Sequence, residues 1–294
     1  MKKRKLLGHI LATFTIIIWG TTFIASKTLL EVLSPIQIMM FRFVIAYAVL
    51  WIIHPKRQKL VFRDELRFFL LGLFGCTLYF LAENYALTFT LASNVSILLA
   101  FAPILTSIFA HFFTKDEHMT KNTLFGFLLA IVGVALVVFN GTVILKLNPK
   151  GDLLAFLSAL MWAVYSVILK KTPDKYDSFV VARKVTFYGL LTALPYFLLT
   201  APQIDFPALA DFRYIGCLLF LGVIGSGICY VTWNVAVIEI GVVRTNNYIY
   251  ANPFITMVSA GILLGEPITV MAVGGSVLII LGVVLAGRRK KAKG

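Results

Sequence analysis

The chain has 294 residues, of which 60% are hydrophobic and only 14% charged, with a mean hydropathy of +0.91. Soluble domains carry about 25% charged residues, so a water-soluble globular fold is excluded. The formal net charge of +14 comes from short basic segments between apolar runs, the pattern of loops on one side of a membrane rather than of a nucleic-acid-binding face.

Apolar runs predict ten helical spans, each near the ~20 residues that cross a bilayer. The first, 7–26, follows MKKRK. It is longer than a signal peptide's apolar core of about 7–15 residues and lacks a small-x-small cleavage site, so it is read as a retained span. The second, 35–53, opens on Pro35, where a missing N–H costs nothing. The third, fourth and fifth cover 66–85, 93–113 and 121–139, closed by Asn140-Gly141. The sixth to ninth cover 151–169, 178–200, 212–235 and 245–264. Gly265-Glu266-Pro267 then breaks the chain before the tenth, 268–286. The fold class is therefore an all-α polytopic membrane protein.

With the N-terminus in the cytoplasm, the cytoplasmic loops and both termini hold 20 Lys and Arg residues and the opposite side holds 4. Arg42, Arg183 and Lys184 fall within spans. This asymmetry predicts an inner-membrane protein with both termini cytoplasmic.

The two halves resemble one another. LATFTIIIWGTTFIASK (11–27) aligns with LAFLSALMWAVYSVILK (154–170) at an offset of 143, matching Trp19 with Trp162. LGLFG (71–75) matches LGVIG (221–225) at an offset of 150, which also pairs Asn84 with Asn234, Pro103 with Pro253, Thr106 with Thr256 and Asp116 with Glu266. GFLLAIVG (126–133) matches GSVLIILG (275–282), and Arg42 pairs with Arg183 at an offset of 141. Five spans per half is an odd number, so the second copy, 142–294, would enter the membrane opposite to the first, 1–141. Ten transmembrane helices as two inverted five-helix repeats is a secondary-transporter architecture, with a solute site between the halves near the midplane.

Several stretches carry a family resemblance: IIIWGTTFIASK (16–27), PIQIMMFRFVIAYAVL (35–50), ALTFTLASNVSILLAFAPILTSIFAHFFTKDE (86–117), GFLLAIVGVALVV (126–138) and NPFITMVSAGILLGEPIT (252–269). Together they make the chain similar to the drug/metabolite transporter superfamily, specifically its EamA-type members with two five-helix repeats. The first repeat departs from the second at His111, which stands where Gly261 does, and at TKDEH, which stands for the LGEPI turn. The resemblance implies export or exchange of small metabolites, often amino acids, through a central cavity lined by helices 1–4 and 6–9.

Glu83 follows a charge-free run, 68–82. An intramembrane carboxylate points to an ion pathway or proton relay, which makes Glu83 the candidate for solute binding and proton coupling. The alternative is that Glu83, Asn84 and Asn94 tie off the turn between the third and fourth spans. Tyr79, four residues earlier, shares a helix face with Glu83. Arg42 and Arg183 each sit about 10 Å into a span by helical rise; snorkelling or inter-helix bonding is one reading, and binding of an anionic carboxylate by Arg42 the other. In RTNNYIYANP (244–253), Asn247 and Tyr250 lie one turn apart and Asn252 precedes Pro253; these amides and the phenol suit recognition of a polar solute, with bonding across helices as the alternative. Trp19, Trp162, Tyr165 and Tyr230 are candidates for cavity walls, with interfacial anchoring as the alternative.

Cys76, Cys217 and Cys229 all fall in apolar runs, and His9, His54, His111 and His118 are scattered. No metal-ligand spacing, phosphate loop or catalytic triad pattern is present, so neither an enzyme nor a cofactor is expected. The sequence reading is a carrier whose partners are a small-molecule solute, the lipid bilayer and, through Glu83, protons, with facilitated diffusion as the uncoupled alternative. The solute expected is a small polar metabolite, an amino acid or a derivative, moved outward. A multidrug exporter of lipophilic cations with the same architecture is the first rival, and a membrane-embedded enzyme the second.

Overall fold

The computed structural model describes residues 2–58, 61–90, 92–114, 120–139, 148–172, 175–200, 203, 206–264 and 270–287. Asn140-Gly141, residues 115–118 of TKDEH, Gly265-Glu266-Pro267, the basic residues after 287 and the side chain of Asn94 lie outside that description. The described residues are helical, with no strand among them. The helices are α1 (Lys2–Leu29), α2 (Pro35–Ile53), α3 (Phe62–Phe89), α4 (Ala92–Leu99), α5 (Ala102–Phe113), α6 (Lys121–Phe139), α7 (Pro149–Lys170), α8 (Ser178–Thr200), α9 (Phe206–Leu209), α10 (Phe212–Ile240), α11 (Val242–Asn247), α12 (Asn252–Leu264) and α13 (Val270–Gly287). Five of them, α1, α2, α3, α7 and α10, are long and apolar enough to cross a membrane. Large apolar side chains on the outside, among them Ile17, Val44, Leu128, Leu191 and Ile280, face the surroundings as lipid-contacting groups do.

Local chemistry sets the helix starts. Ser34 accepts from the Gln37 N–H and the Gln37 side chain returns the bond, with Pro35 in the first turn of α2. This capping box satisfies donors that would otherwise be orphaned. Asn148 does the same for α7, accepting from Lys150 and Gly151 ahead of Pro149 and the run that follows. Gly241, at φ 87°, ends α10 in a backbone conformation that side chains with a Cβ resist.

Two irregularities depart from the continuous spans expected. The fourth expected span is two helices, α4 and α5, separated at Ala100 and Phe101; the ninth is α11, a 3-10 turn at Tyr248–Ala251, and α12. Pro103 and Pro253 explain both breaks, because each ring clashes with the carbonyl four residues earlier, at Leu99 and Ile249, and removes a donor. In addition, α3 holds a π-helical segment at Leu73–Leu78 and α10 another at Phe220–Ile228. These fall on LGLFG and LGVIG and are stabilised by side chains from across the molecule: the Gly75 carbonyl accepts from the Tyr230 hydroxyl at 2.8 Å, and the Gly225 carbonyl from the Trp19 indole at 2.9 Å.

The main helix contacts join residues before 140 to residues after 148. Helix α6 runs along α13, α1 along α10 and α12, α3 along α7 and α8, α2 along α8 and α10, and α4 and α5 along α7. Where α6 meets α13, a Cβ on Gly126 would stand 2.6 Å from the Gly282 carbonyl oxygen and one on Gly133 2.5 Å from that of Gly275. Backbones in near contact are how helices pack in lipid, where burial of apolar surface gives no drive.

Ion pairs gather at helix ends. Arg4 meets Glu239 at 2.9 Å, Arg213 meets Glu31 at 3.2 Å, and Asp64 accepts from Lys175 and from Tyr176, each at 2.7 Å. In the loop before α8, the hydrogen bond to Asp64 holds the Lys175 ammonium above its usual range.

Candidate functional site

A cavity lies where the two sets of helices meet. Its wall takes Trp19, Thr22 and Phe23 from α1, Arg42 from α2, Tyr79, Phe80 and Glu83 from α3, and Leu99 and Ala102 from either side of the α4–α5 break. Opposite them stand Trp162 from α7, Tyr230 from α10, and Ile249 and Asn252 from the α11–α12 break. Interrupted helices are tolerated at membrane depth where their backbone is buried or lines a cavity, and both breaks lie on this one. The room open to the centre of a water molecule is about 30 Å³, roughly two waters. A larger solute therefore enters only as the walls part.

The wall is aromatic on one side and charged on the other. Trp19 and Trp162 meet edge to face at 5.2 Å, Tyr79 packs on Trp162 at 5.2 Å, and Trp233 closes the cluster from behind at 4.9 Å from Trp19. Asn246 fixes the Trp162 ring by accepting its indole N–H at 2.9 Å, and the same oxygen accepts from Ser166 at 3.3 Å. On the other side Glu83 is 4% exposed and Arg42 1%. The Arg42 Nε donates to Ser226 Oγ at 2.8 Å, and its Cζ lies 4.2 Å from the centre of the Phe80 ring. Its Nη1 is buried with no hydrogen-bond partner. Tyr79 and Arg42 are the polar groups that act on the Glu83 carboxylate. The Asn252 side-chain oxygen is also buried and unpartnered.

Of the nine residues expected at the site, the structure brings Trp19, Arg42, Tyr79, Glu83, Trp162 and Tyr230 onto one cavity. Tyr165, Asn247 and Tyr250 are elsewhere. Tyr165 is fully buried behind Trp162, its ring filling the space left by the missing Cβ of Gly75. Asn247 is buried with neither amide atom partnered, and Tyr250 packs with Phe127, Ala130 and Ile279 toward α6 and α13. The break at 248–251 separates the two: Asn247 ends α11, whereas Tyr250 lies in the 3-10 turn and packs toward α6 and α13. The turn-anchor alternative for Glu83 fails on position, since α3 continues to Phe89 and the turn comes at Thr90. Asn84 bonds to the Pro35 carbonyl at 3.2 Å. Snorkelling fails for Arg42, which is enclosed by the protein. Inter-helix bonding holds for Arg183, which donates to the His54 carbonyl at 2.7 Å and to that of Lys56, and lies over the Trp51 ring at 3.7 Å.

Sequence reasoning missed Thr22, Phe23, Phe80, Leu99, Ala102 and Ile249 as wall residues, and Ser226 and Asn246 as the groups that hold Arg42 and Trp162, whereas Asn252, singled out beside Pro253, does line the cavity. A signal was available for several of them: at the offset of 150, Tyr230 pairs with Phe80, Ile249 with Leu99 and Asn252 with Ala102.

Comparison with known proteins decides the family. The EamA-like transporter family matches residues 6–139 and again 149–288. The chain belongs to the EamA-like transporter family. A relative from Archaeoglobus fulgidus named "Uncharacterized transporter" is 26% identical over 96% of this chain and 99% of its own length. The Bacillus subtilis "Uncharacterized transporter YyaM" is 29% identical over 91% of this chain and 89% of its own. A "Probable terminal-alkyne amino-acid exporter" of Streptantibioticus cattleyicolor is 28% identical over 94% of this chain and 91% of its own. A solved crystal structure shares the fold with a TM-score of 0.76 at 20% identity, covering 97% of this chain and 96% of that one. This EamA-like protein, within the drug/metabolite transporter superfamily, is thus a multi-pass membrane transporter for small-molecule solutes.

Proposed function

We propose that this EamA-like transporter is a secondary carrier of the cytoplasmic membrane that moves a small polar metabolite outward, an amino acid or a derivative, by alternating access. In this reading residues 1–141 and 142–294 form two inverted repeats, ten spans in all, with both termini cytoplasmic, and the halves rock about the cavity. The irregular features support it, since the π segments and the proline breaks recur at the offset of 150. The contacts support it too. Exchanging α1 with α7, α2 with α8, and α3 with α10 turns the α1–α10 contact into α7–α3 and the α2–α10 contact into α8–α3.

The observation that carries the solute class is Arg42 and Glu83 on the wall of one buried, aromatic-sided cavity. Polar groups that fix a ligand in an otherwise apolar pocket define what it accepts. The Streptantibioticus relative, named as a probable amino-acid exporter, points the same way. Aromatic walls and one acid also suit a lipophilic cation, but a guanidinium beside that acid opposes it, because in apolar surroundings like charges repel strongly. Glu83 is the group we assign to proton coupling, as the acid enclosed in the membrane-spanning part.

The test is thermal stability of the purified protein against a panel of amino acids, other polar metabolites and lipophilic cations, with Glu83→Gln beside wild type. A ligand at 100 times its Kd adds about 2.7 kcal/mol to the folded state. An amino acid or derivative is expected to raise the melting temperature of wild type and to lose that effect in Glu83→Gln. Stabilisation by lipophilic cations alone would move the assignment to multidrug export. In proteoliposomes, uptake of the same solute that ignores an imposed pH gradient would remove the coupling role.

A further inference from the structure

Two wall atoms of the cavity, on Arg42 and Asn252, have unfilled bonding capacity, and with the Glu83 carboxylate their chemistry is complementary to the two ends of one small molecule. The guanidinium of Arg42 is fixed by Ser226 at its Nε and by the Phe80 ring beneath it. What remains are the two terminal nitrogens, of which Nη1 is buried and without a partner. A charged donor left unpaired in the interior is costly, about 1–3 kcal/mol or more, and such an exception calls for an explanation. At Asn252 the side-chain oxygen is buried and unpartnered as well, which leaves an acceptor on the same wall. Glu83 supplies the third group. It feels Arg42, yet the two make no ion pair within 4.0 Å, so neither side chain consumes the other.

Charge balance then selects among ligands. Arg42 and a carboxylate Glu83 together carry no net charge. An amine would pair with Glu83 and leave the cavity with one excess positive charge beside an unpaired Arg42. A carboxylic acid would pair with Arg42 and leave an excess negative charge beside Glu83. A zwitterion pairs both and adds nothing, and breaking a buried pair by removing one partner is strongly unfavourable. The rest of the wall, including Trp19, Phe23, Leu99, Trp162 and Ile249, offers apolar surface.

We infer that the site takes a small zwitterion, with its carboxylate on Arg42 Nη1, its ammonium on Glu83 and the Asn252 side-chain oxygen, and an apolar side chain against the tryptophan wall. This rests on the transport reading above and narrows it: both poles of the solute must be free. Acylated amino acids, amines and simple acids are excluded by the same cavity.

The experiment measures thermal stabilisation of the full-length protein by three matched series: alanine, ethylamine and propionate; leucine, isoamylamine and 4-methylpentanoate; phenylalanine, phenethylamine and 3-phenylpropionate. N-acetylated forms of the three amino acids complete the set. At least one amino acid is expected to stabilise, with its single-pole and N-acetyl analogues weaker by about 10- to 100-fold, as for a lost hydrogen bond to a charged group. Two variants then separate the poles. Arg42→Gln should narrow the gap between the amino acid and its amine, and Glu83→Gln the gap between the amino acid and its acid. Asn252→Ala should weaken the amino acid by a smaller factor. A general structural defect would weaken all ligands alike and would not exchange their order. Equal stabilisation by an amine or an acid in wild type overturns the zwitterion assignment while leaving the transport reading intact. So does stabilisation by a polar solute of the wider panel with none from the three amino acids. If no polar solute stabilises or is transported, the transport reading itself falls.

Discussion

Arg42 and Arg183 align between the two halves at an offset of 141 and are both buried, yet they have come to opposite uses. Arg183 spends its donors on main-chain carbonyls at His54 and Lys56, where the chain leaves α2, and its plane on Trp51. Arg42 is held by one serine and one phenylalanine and keeps a nitrogen unpartnered beside the cavity. A cation satisfied by backbone is an anchor for a helix end. A cation with bonding capacity left over, on the wall of a cavity, is suited to a ligand. The same divergence separates Glu83 from its counterpart at the offset of 150, Trp233, which is fully buried against Trp19. In the repeat architecture proposed here the two halves share the aromatic wall, whereas both ionisable anchors come from the first.

The sharpest way to break this contrast is to make the same substitution twice. Arg42→Gln is expected to reduce solute-dependent stabilisation and transport by about 10- to 100-fold, as for a lost hydrogen bond to a charged group, while the melting temperature of the empty protein falls less than in Arg183→Gln, because the lost Ser226 bond and Phe80 contact are partly offset by removal of an unpaired buried donor. Arg183→Gln should do the reverse. It loses two charge-assisted hydrogen bonds of about 1.5–3 kcal/mol each and a ring contact of about 0.5–2 kcal/mol, so the melting temperature falls while the ligand response survives. Equal loss of ligand response in the two variants would end the distinction.

The π segments offer a second paired comparison with a smaller effect. Gly75 and Gly225 occupy matching positions in LGLFG and LGVIG, but their surroundings differ. A Cβ on Gly75 would stand 2.2 Å from the Tyr165 ring, whereas one on Gly225 would meet Thr22 Cγ2 at 3.2 Å. Gly75→Ala must therefore displace a buried ring, an overpacking cost of about 1–3 kcal/mol, and lower the melting temperature. Gly225→Ala should cost less, and only a methyl group has to yield. Identical losses would mean that the π turn, not the neighbouring ring, limits what each glycine can carry.

Much of this was legible in the residues. Helix 35–53 was readable to the residue, Pro35 marking its start, the bounds 178–200 also matched, and the matched tryptophans pointed to a shared wall. The breaks at 100–101 and 248–251 were harder to see. Their prolines were visible, but an apolar run gives no sign of whether a helix kinks or parts, and that decided the fate of Asn247 and Tyr250. The π segments were invisible because a backbone one residue wider per turn has no period of its own in an all-apolar sequence. Arg42 could not be told from Arg183 by depth along a helix. The difference lies in which carbonyls and hydroxyls the partner helices bring, and that is a property of packing.

The smallest expected effect tests whether the wall aromatics act by shape or by their hydroxyls. Tyr230 and its counterpart Phe80 both line the cavity, but only Tyr230 carries an oxygen, and it is committed to the Gly75 carbonyl at 2.8 Å. Tyr230→Phe removes that bond and leaves the ring in place, so the wall keeps its shape while the π segment of α3 loses a tie to α10. The expected loss is about 1 kcal/mol of stability, read as a modest drop in melting temperature with the ligand response retained. Loss of the ligand response at an unchanged melting temperature would mean that the hydroxyl turns to the solute when the cavity opens. In that case Tyr230 would join Arg42 and Glu83 among the polar anchors, and the second half would contribute more than aromatic surface and the amide of Asn252.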